Sequence, residues 1–168
     1  MAGKTFWRGV ANVLRRMPWI VNIARVVYGL GRAHFSAGVV GGVFDQNGNV
    51  LLVEHVFHPR TPWGLPGGWI EKREDPSEAL QREFLEELQL NISPDKVLTV
   101  IGENNHIDVA YLCSAQGKVG KLSSELLDYR WCDIRELPRM QKFHYRAIML
   151  ALDVKAKENH KEVSFWFG

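Results

Sequence analysis

Cysteine is scarce in this sequence: 168 residues contain two, Cys113 and Cys132, each inside an apolar run that reads as a strand. A disulfide framework or a zinc site needs more thiols at tighter spacing, so two buried, reduced thiols in a cytoplasmic setting are expected. Long apolar runs are missing too. No stretch approaches the roughly 18 uninterrupted apolar residues that span a bilayer. Arg8, Arg15 and Arg16 interrupt any signal-peptide apolar region, which argues against secretion. Acid is absent from the start of the chain, the first being Asp45. Internal repeats and low-complexity segments are absent throughout.

What is present is enough chain for one domain with a real core, at ordinary globular composition. Charge is distributed unevenly. Lys4, Arg8, Arg15, Arg16, Arg25 and Arg32 face no acid, so against a total of +2 the rest of the chain carries about −4. Residues 1–35 read as a basic extension of two amphipathic helices separated by Pro18. Phe6, Trp7, Val10, Val13, Leu14 and Met17 recur at helical spacing, then Trp19, Ile20, Ile23, Val26, Val27 and Leu30, with Gly29 and Gly31 as a stop. Such helices suit packing on the domain or across a homodimer interface. A second reading is attachment to an anionic membrane surface. Nucleic acid is disfavoured by the negative body, and an organelle presequence by the lack of serine before Ser36.

From Ala37 the period changes. Residues 38–44 read as a buried strand, Asp45-Gln46-Asn47-Gly48 as a turn, and residues 49–56 as a second strand. Pro59, Pro62 and Gly64 mark a loop leading into Leu65-Pro66-Gly67-Gly68-Trp69-Ile70. A helix then starts with clear punctuation: Asp75 as cap, Pro76 in the first turn, Glu78 completing a capping box. Strands follow at 97–102, 107–114 and 129–132, and a helix at about 141–155. The sequence divides into the extension 1–35, a domain at 36–155 and a tail at 156–168. Mixed strands and helices in this order indicate an α/β or α+β layered domain.

The chemistry lies on the capped helix. Glu83, Glu86 and Glu87 stand at i, i+3 and i+4 and share one side, with Leu80, Phe84 and Leu88 on the adjacent stripe. Like charges at this spacing weaken a helix by a few tenths of a kcal/mol, and a hard divalent cation would offset that. On the glutamates alone, a solvated acidic face explains the pattern as well.

The neighbouring residues decide between the two. Gly68, five residues, Glu74, seven residues, then Arg82-Glu83-Phe84-Leu85-Glu86-Glu87-Leu88-Gln89-Leu90 resembles the signature of the Nudix hydrolase family (MutT-like) at every specified position but one. Gln89 stands where that family has glycine. Either Gln89 takes the left-handed turn at some strain, or the helix runs on and Asn91 makes the turn. Trp63-Gly64-Leu65-Pro66-Gly67 is similar to the family's lead-in.

The resemblance implies an α/β/α sandwich with a mixed sheet, and a pyrophosphohydrolase. Glu83, Glu86 and Glu87 would hold Mg²⁺ or Mn²⁺, one of them also activating water, and Gly67 would offer its carbonyl. Arg82 would pair with Glu74 to orient the glutamates beside Gly68, and Glu125, before Trp131, would add a base or ligand. The substrate implied is a nucleoside diphosphate linked to another moiety: a nucleotide sugar, ADP-ribose or a modified nucleoside triphosphate. Subclass markers are missing, the downstream region reading Asn104-Asn105-His106. Trp63, Arg60, His58 and His106 are the candidates for substrate contact. Competing readings are a non-catalytic nucleotide-sensing module of this fold, and a membrane-surface protein acting through its basic head.

Overall fold

The computed structural model describes residues 35–167, with side chains through residue 158, and in the basic head only Trp19. The two head helices, and the dimer and membrane readings that depend on them, fall outside the described residues. Among the described residues no helix is long and apolar enough to cross a membrane.

Strand β1 (Ser36–Val43) is the apolar run read from the sequence. It lies between β4 (Gly67–Trp69), antiparallel, and β6 (His106–Gln116), parallel, and β5 (Asn91–Glu103) closes the sheet in the order β4-β1-β6-β5. One parallel pair among antiparallel ones makes the sheet mixed. Having neighbours on both sides and helices on both faces, β1 reads as a continuous apolar run rather than an alternating one. A second, antiparallel sheet has the order β3-β2-β7, from β2 (Val50–His55), β3 (Trp63–Gly64) and β7 (Leu126–Cys132).

Helices α1 (Pro76–Leu88) and α2 (Lys142–Phe167) pack on opposite faces of the mixed sheet. On the α1 face Val39 and Val43 of β1 meet Leu80, Phe84 and Leu88, all fully buried. On the other face Val40 and Ala110 meet Ala147 and Ile148. Gly41 is bare for a packing reason: a Cβ there would lie 2.9 Å from the Phe84 ring.

Several boundaries differ from the sequence reading. β5 begins at Asn91 rather than 97, because an edge strand tolerates Pro94 by bulging at Pro94/Lys96 and Val97/Thr99. β7 begins at Leu126, and α2 runs on through most of the segment read as a tail. At the start of α1, Asp75 accepts from the Ser77 amide at 2.8 Å and the Ser77 hydroxyl at 2.6 Å; this, rather than a reciprocal bond from Glu78, makes the cap. At its end Gln89 takes the turn itself, with φ 49° and ψ 37°. Its Oε1 accepts from the Lys121 amide at 3.1 Å. Gly120 leaves room, since a Cβ there would come within 2.8 Å of Gln89 Cβ.

Candidate active site

The site begins with two consecutive glycines on β4. Gly67 has φ +149°, and a Cβ on it would fall on the Val39 carbonyl oxygen. Close approach to β1 therefore excludes a side chain here, whatever its own carbonyl binds. A Cβ on Gly68 would fall on the Glu83 carboxyl group. Gly67 thus lets β4 close on β1, and Gly68 leaves the recess that the Glu83 carboxylate fills.

Arg82 organises those carboxylates. Its Nε and Nη2 donate to the two oxygens of Glu74 at 2.8 and 3.0 Å, a bidentate pair. Nη2 also donates to the Trp69 carbonyl at 3.1 Å, and Nη1 to Glu83 at 2.8 Å and Glu86 at 3.4 Å. Glu74 accepts the Glu71 amide at 2.8 Å as well. The guanidinium beside it holds the Glu74 carboxyl down at about 2. Arg82 thereby ties loop, strand and helix together.

The three glutamates differ in surroundings. Glu86 is exposed. Glu83 is mostly covered, and burial raises its pKa despite Arg82. Glu87 is 7% exposed, and its Oε2 has no hydrogen-bond partner. Burial, then the negative charges of Glu83, Glu125 and Glu86, push its carboxyl up to about 8. A buried, unpartnered carboxylate beside three others is costly in isolation and complementary to a cation. Hard oxygen donors of this kind suit a divalent ion such as Mg²⁺. Among the described residues no three acidic, imidazole or thiol side chains already converge as a metal cluster. In the arrangement described, Arg82 occupies Glu83 and Glu86.

Glu125 joins this group from the loop before β7. The Ser123 amide donates to the Glu87 carbonyl at 2.9 Å, and the Val56 amide to the Glu125 carbonyl at 3.0 Å. Both bonds tether the loop against α1 and β2. Glu125, Glu83, Glu86 and Glu87 line one end of an open cavity of about 680 Å³.

The remaining candidates fare unequally. His58, Trp63 and His106 line the cavity. Arg60 is not among its lining residues, although it precedes the site closely in sequence. One face of Trp63 is occupied by the Arg130 guanidinium, 4.1 Å from the ring centroid. Residues that sequence reasoning passed over also contribute: His55, Trp69, Gln141 and His144.

His144, on α2, is the most consequential of these. Its Nδ1 accepts the Leu65 amide at 2.9 Å, which fixes the loop that enters the glycine pair. Gly64 makes this possible, for a Cβ there would lie 2.9 Å from the imidazole. Burial, assisted by nearby His55 and His58, drives the His144 pKa down to about 4, so the ring is neutral and able to accept. No local pattern announces this contact between positions 79 apart.

Comparison with known proteins agrees with this geometry. Residues 32–151 match the NUDIX domain family. The chain is similar to the nucleoside diphosphate-linked moiety X motif 6 protein of Xenopus laevis, 29% identical over 117 residues. That match covers 64% of this chain and 54% of the relative, so the chain spans about half the relative's length. It is also similar to a MutT-like protein of Streptomyces ambofaciens, 27% identical over 121 residues, covering 70% of this chain and 77% of that protein. Among solved structures, an ADP-ribose pyrophosphatase from Streptococcus suis has a TM-score of 0.62 at 20% identity, covering 71% of this chain and 91% of the other. At that identity the likeness is one of fold.

Proposed function

The chain belongs to the NUDIX domain family, and from that premise we propose that it hydrolyses phosphoric anhydride bonds with a divalent metal ion. The reaction is water attack on phosphorus in a nucleoside diphosphate linked to another moiety. The observation that carries this reading is the buried Glu87 carboxylate, with Oε2 lacking a partner and Glu83, Glu86 and Glu125 around it.

Glu83, Glu86, Glu87 and the Gly67 carbonyl would hold Mg²⁺ or Mn²⁺. Bound there, such an ion neutralises phosphate oxygens and lowers the pKa of water. The protein's own part is orientation. Gly68 admits the Glu83 carboxylate, Arg82 and Glu74 fix the face of α1, and His144 fixes the Leu65 amide before Gly67. Glu125 would act as base or additional ligand, a reading supported by its charge helping to raise the Glu87 carboxyl. The cavity beyond has the volume for a nucleotide-sized substrate.

The test is a turnover screen over nucleotide sugars, ADP-ribose and oxidised deoxynucleoside triphosphates with each metal, on wild type and on the double variant Glu86→Gln, Glu87→Gln. Metal-dependent phosphate release is expected in the wild type and lost in the variant, whose melting temperature stays close to wild type. Retained turnover in the variant refutes the assignment.

A further inference from the structure

At one level of the mixed sheet, three strands place Trp69, Gly38 and Asp108 in a row, through the pairs Gly38↔Trp69 and Gly38↔Asp108. Residues in register point to the same face. That face is the one carrying Val40 and Gly42, where Ala151 of α2 lies 3.9 Å from a Cβ built on Gly42. It is opposite the α1 face, and its Gly38 end opens into the cavity.

The row is bare in the middle. A Cβ on Gly38 would meet Asp108 Oδ1 at 3.2 Å and His106 Nε2 at 3.4 Å. Trp69 leans across this gap, its ring 5.1 Å from that of His106 in an edge-on arrangement. The indole remains 63% exposed, unusual for so large an apolar group on a short strand.

His106 and Asp108 are fixed in a defined hydrogen-bonded state. Asp108 Oδ1 lies 2.9 Å from His106 Nε2, and a carboxylate only accepts, so Nε2 carries the hydrogen. In the neutral ring, Nδ1 then accepts from the Ser36 hydroxyl at 2.8 Å. This chain orients Asp108, and among the described residues nothing else bonds its carboxylate. A negative acceptor beside an open indole repels phosphate and attracts donors attached to a flat ring.

We infer that Trp69, His106 and Asp108 form a subsite for the nucleoside part of the ligand. Trp69 stacks on a ring, and Asp108 receives two neighbouring hydrogen-bond donors. Two sources present such a pair: the N1–H and 2-amino group of a guanine, and the vicinal hydroxyls of a ribose. The inference takes its diphosphate end from the proposed hydrolase site, and its own evidence is the row on the opposite face.

Calorimetric titration of the full chain, in the presence of Mg²⁺, separates the two claims. The ligands are pyrophosphate, GDP, IDP, which lacks the 2-amino group, and 2′-deoxy-GDP, which lacks one hydroxyl. Asp108→Asn is expected to weaken GDP binding by tenfold or more and to leave pyrophosphate unchanged. Trp69→Ala, at an exposed position with little bearing on folding, should weaken GDP severalfold with the same indifference to pyrophosphate. Whichever of IDP or 2′-deoxy-GDP escapes the Asp108→Asn penalty identifies the donor pair. Equal losses for GDP, IDP and 2′-deoxy-GDP overturn the two-donor assignment, and equal losses for GDP and pyrophosphate overturn the subsite. No binding by the wild type overturns it as well. Failure to hydrolyse any substrate, with the affinity split intact, removes the hydrolase reading and leaves the subsite standing.

Discussion

The two ends of the cavity are built in opposite ways. The carboxylate end takes Glu83, Glu86 and Glu87 from little more than one turn of α1, so helical geometry alone brings them together. The other end takes His55, Trp69, His106, Asp108 and His144 from four elements, and only the finished fold assembles it. The first end is chemically strained, with a buried carboxylate lacking a partner. The second has its imidazoles bonded, His144 to Leu65 and His106 to both Ser36 and Asp108, with acceptor capacity left on Asp108. An unpartnered buried carboxyl at one end and bonded imidazoles at the other set the two apart.

Breaking the strained end should give the largest effect. Glu87→Gln is expected to lower metal-dependent turnover by about a hundredfold to a thousandfold, the scale for losing an electrostatic group of this kind. Its melting temperature without metal should stay close to wild type, because a carboxyl pushed up to about 8 is largely neutral at pH 7 and Gln replaces it with a neutral group of the same shape; a clear fall would show that Glu87 also supports the fold. Next is the scaffold under that end. Phe84→Ala should cost about 3–5 kcal/mol in denaturant unfolding, by removing a fully buried ring between α1 and β1.

The imidazole end is tested by acid. The folded His144 has a pKa of about 4 against 6.5 when unfolded, and His55 behaves alike. Between those values the unfolded chain binds protons that the native state refuses. The contribution of the two histidines is therefore complete above pH 6.5 and falls as pH is lowered towards 4, opposite in sign to that of Glu87, whose raised carboxyl loses stability as pH climbs towards 8. The loss is about 3 kcal/mol for His144. In His144→Gln the acid-dependent slope of unfolding free energy should shrink, leaving the part due to His55; an unchanged slope would show that His144 is not the group responsible. The smallest effect belongs to the far end of α1. Gln89→Gly should change stability by no more than about 1 kcal/mol, since relief of the left-handed turn is offset by loss of the Lys121 bond. Gly120→Ala, disruptive in the wild type, should be tolerated in the Gln89→Gly background, a coupling readable in a double-mutant cycle.

This contrast also explains what the sequence disclosed. The α1 pattern, its cap at Asp75, the Gly68–Glu74–Arg82 spacing and the apolar run of β1 are all local, and helix, strand and turn periods expose them. β5 was legible only from Val97 onward, because Pro94 and two bulges break the alternation of an edge strand. The rest of the cavity lining was harder still. Trp63 and Arg60 both lie in the segment before the glycine pair, yet Trp63 lines the cavity and Arg60 does not. Trp69 reads as an ordinary strand residue until its pairing across Gly38 with Asp108 is known. Gly64 and Gly120 carry no meaning in isolation. Each is the imprint of a side chain far along the chain, His144 in one case and Gln89 in the other.

The bond from the Leu65 amide to His144 has a consequence for timing. A ribosome finishes the carboxylate helix well before it reaches the residue that holds the neighbouring loop, 79 positions beyond Leu65. During that interval the nascent chain has its acidic cluster but no anchor for the strand that faces it. The Leu65 loop is therefore held in this way only once α2 docks, and a chain arrested before that helix would carry the complete signature without the His144 contact.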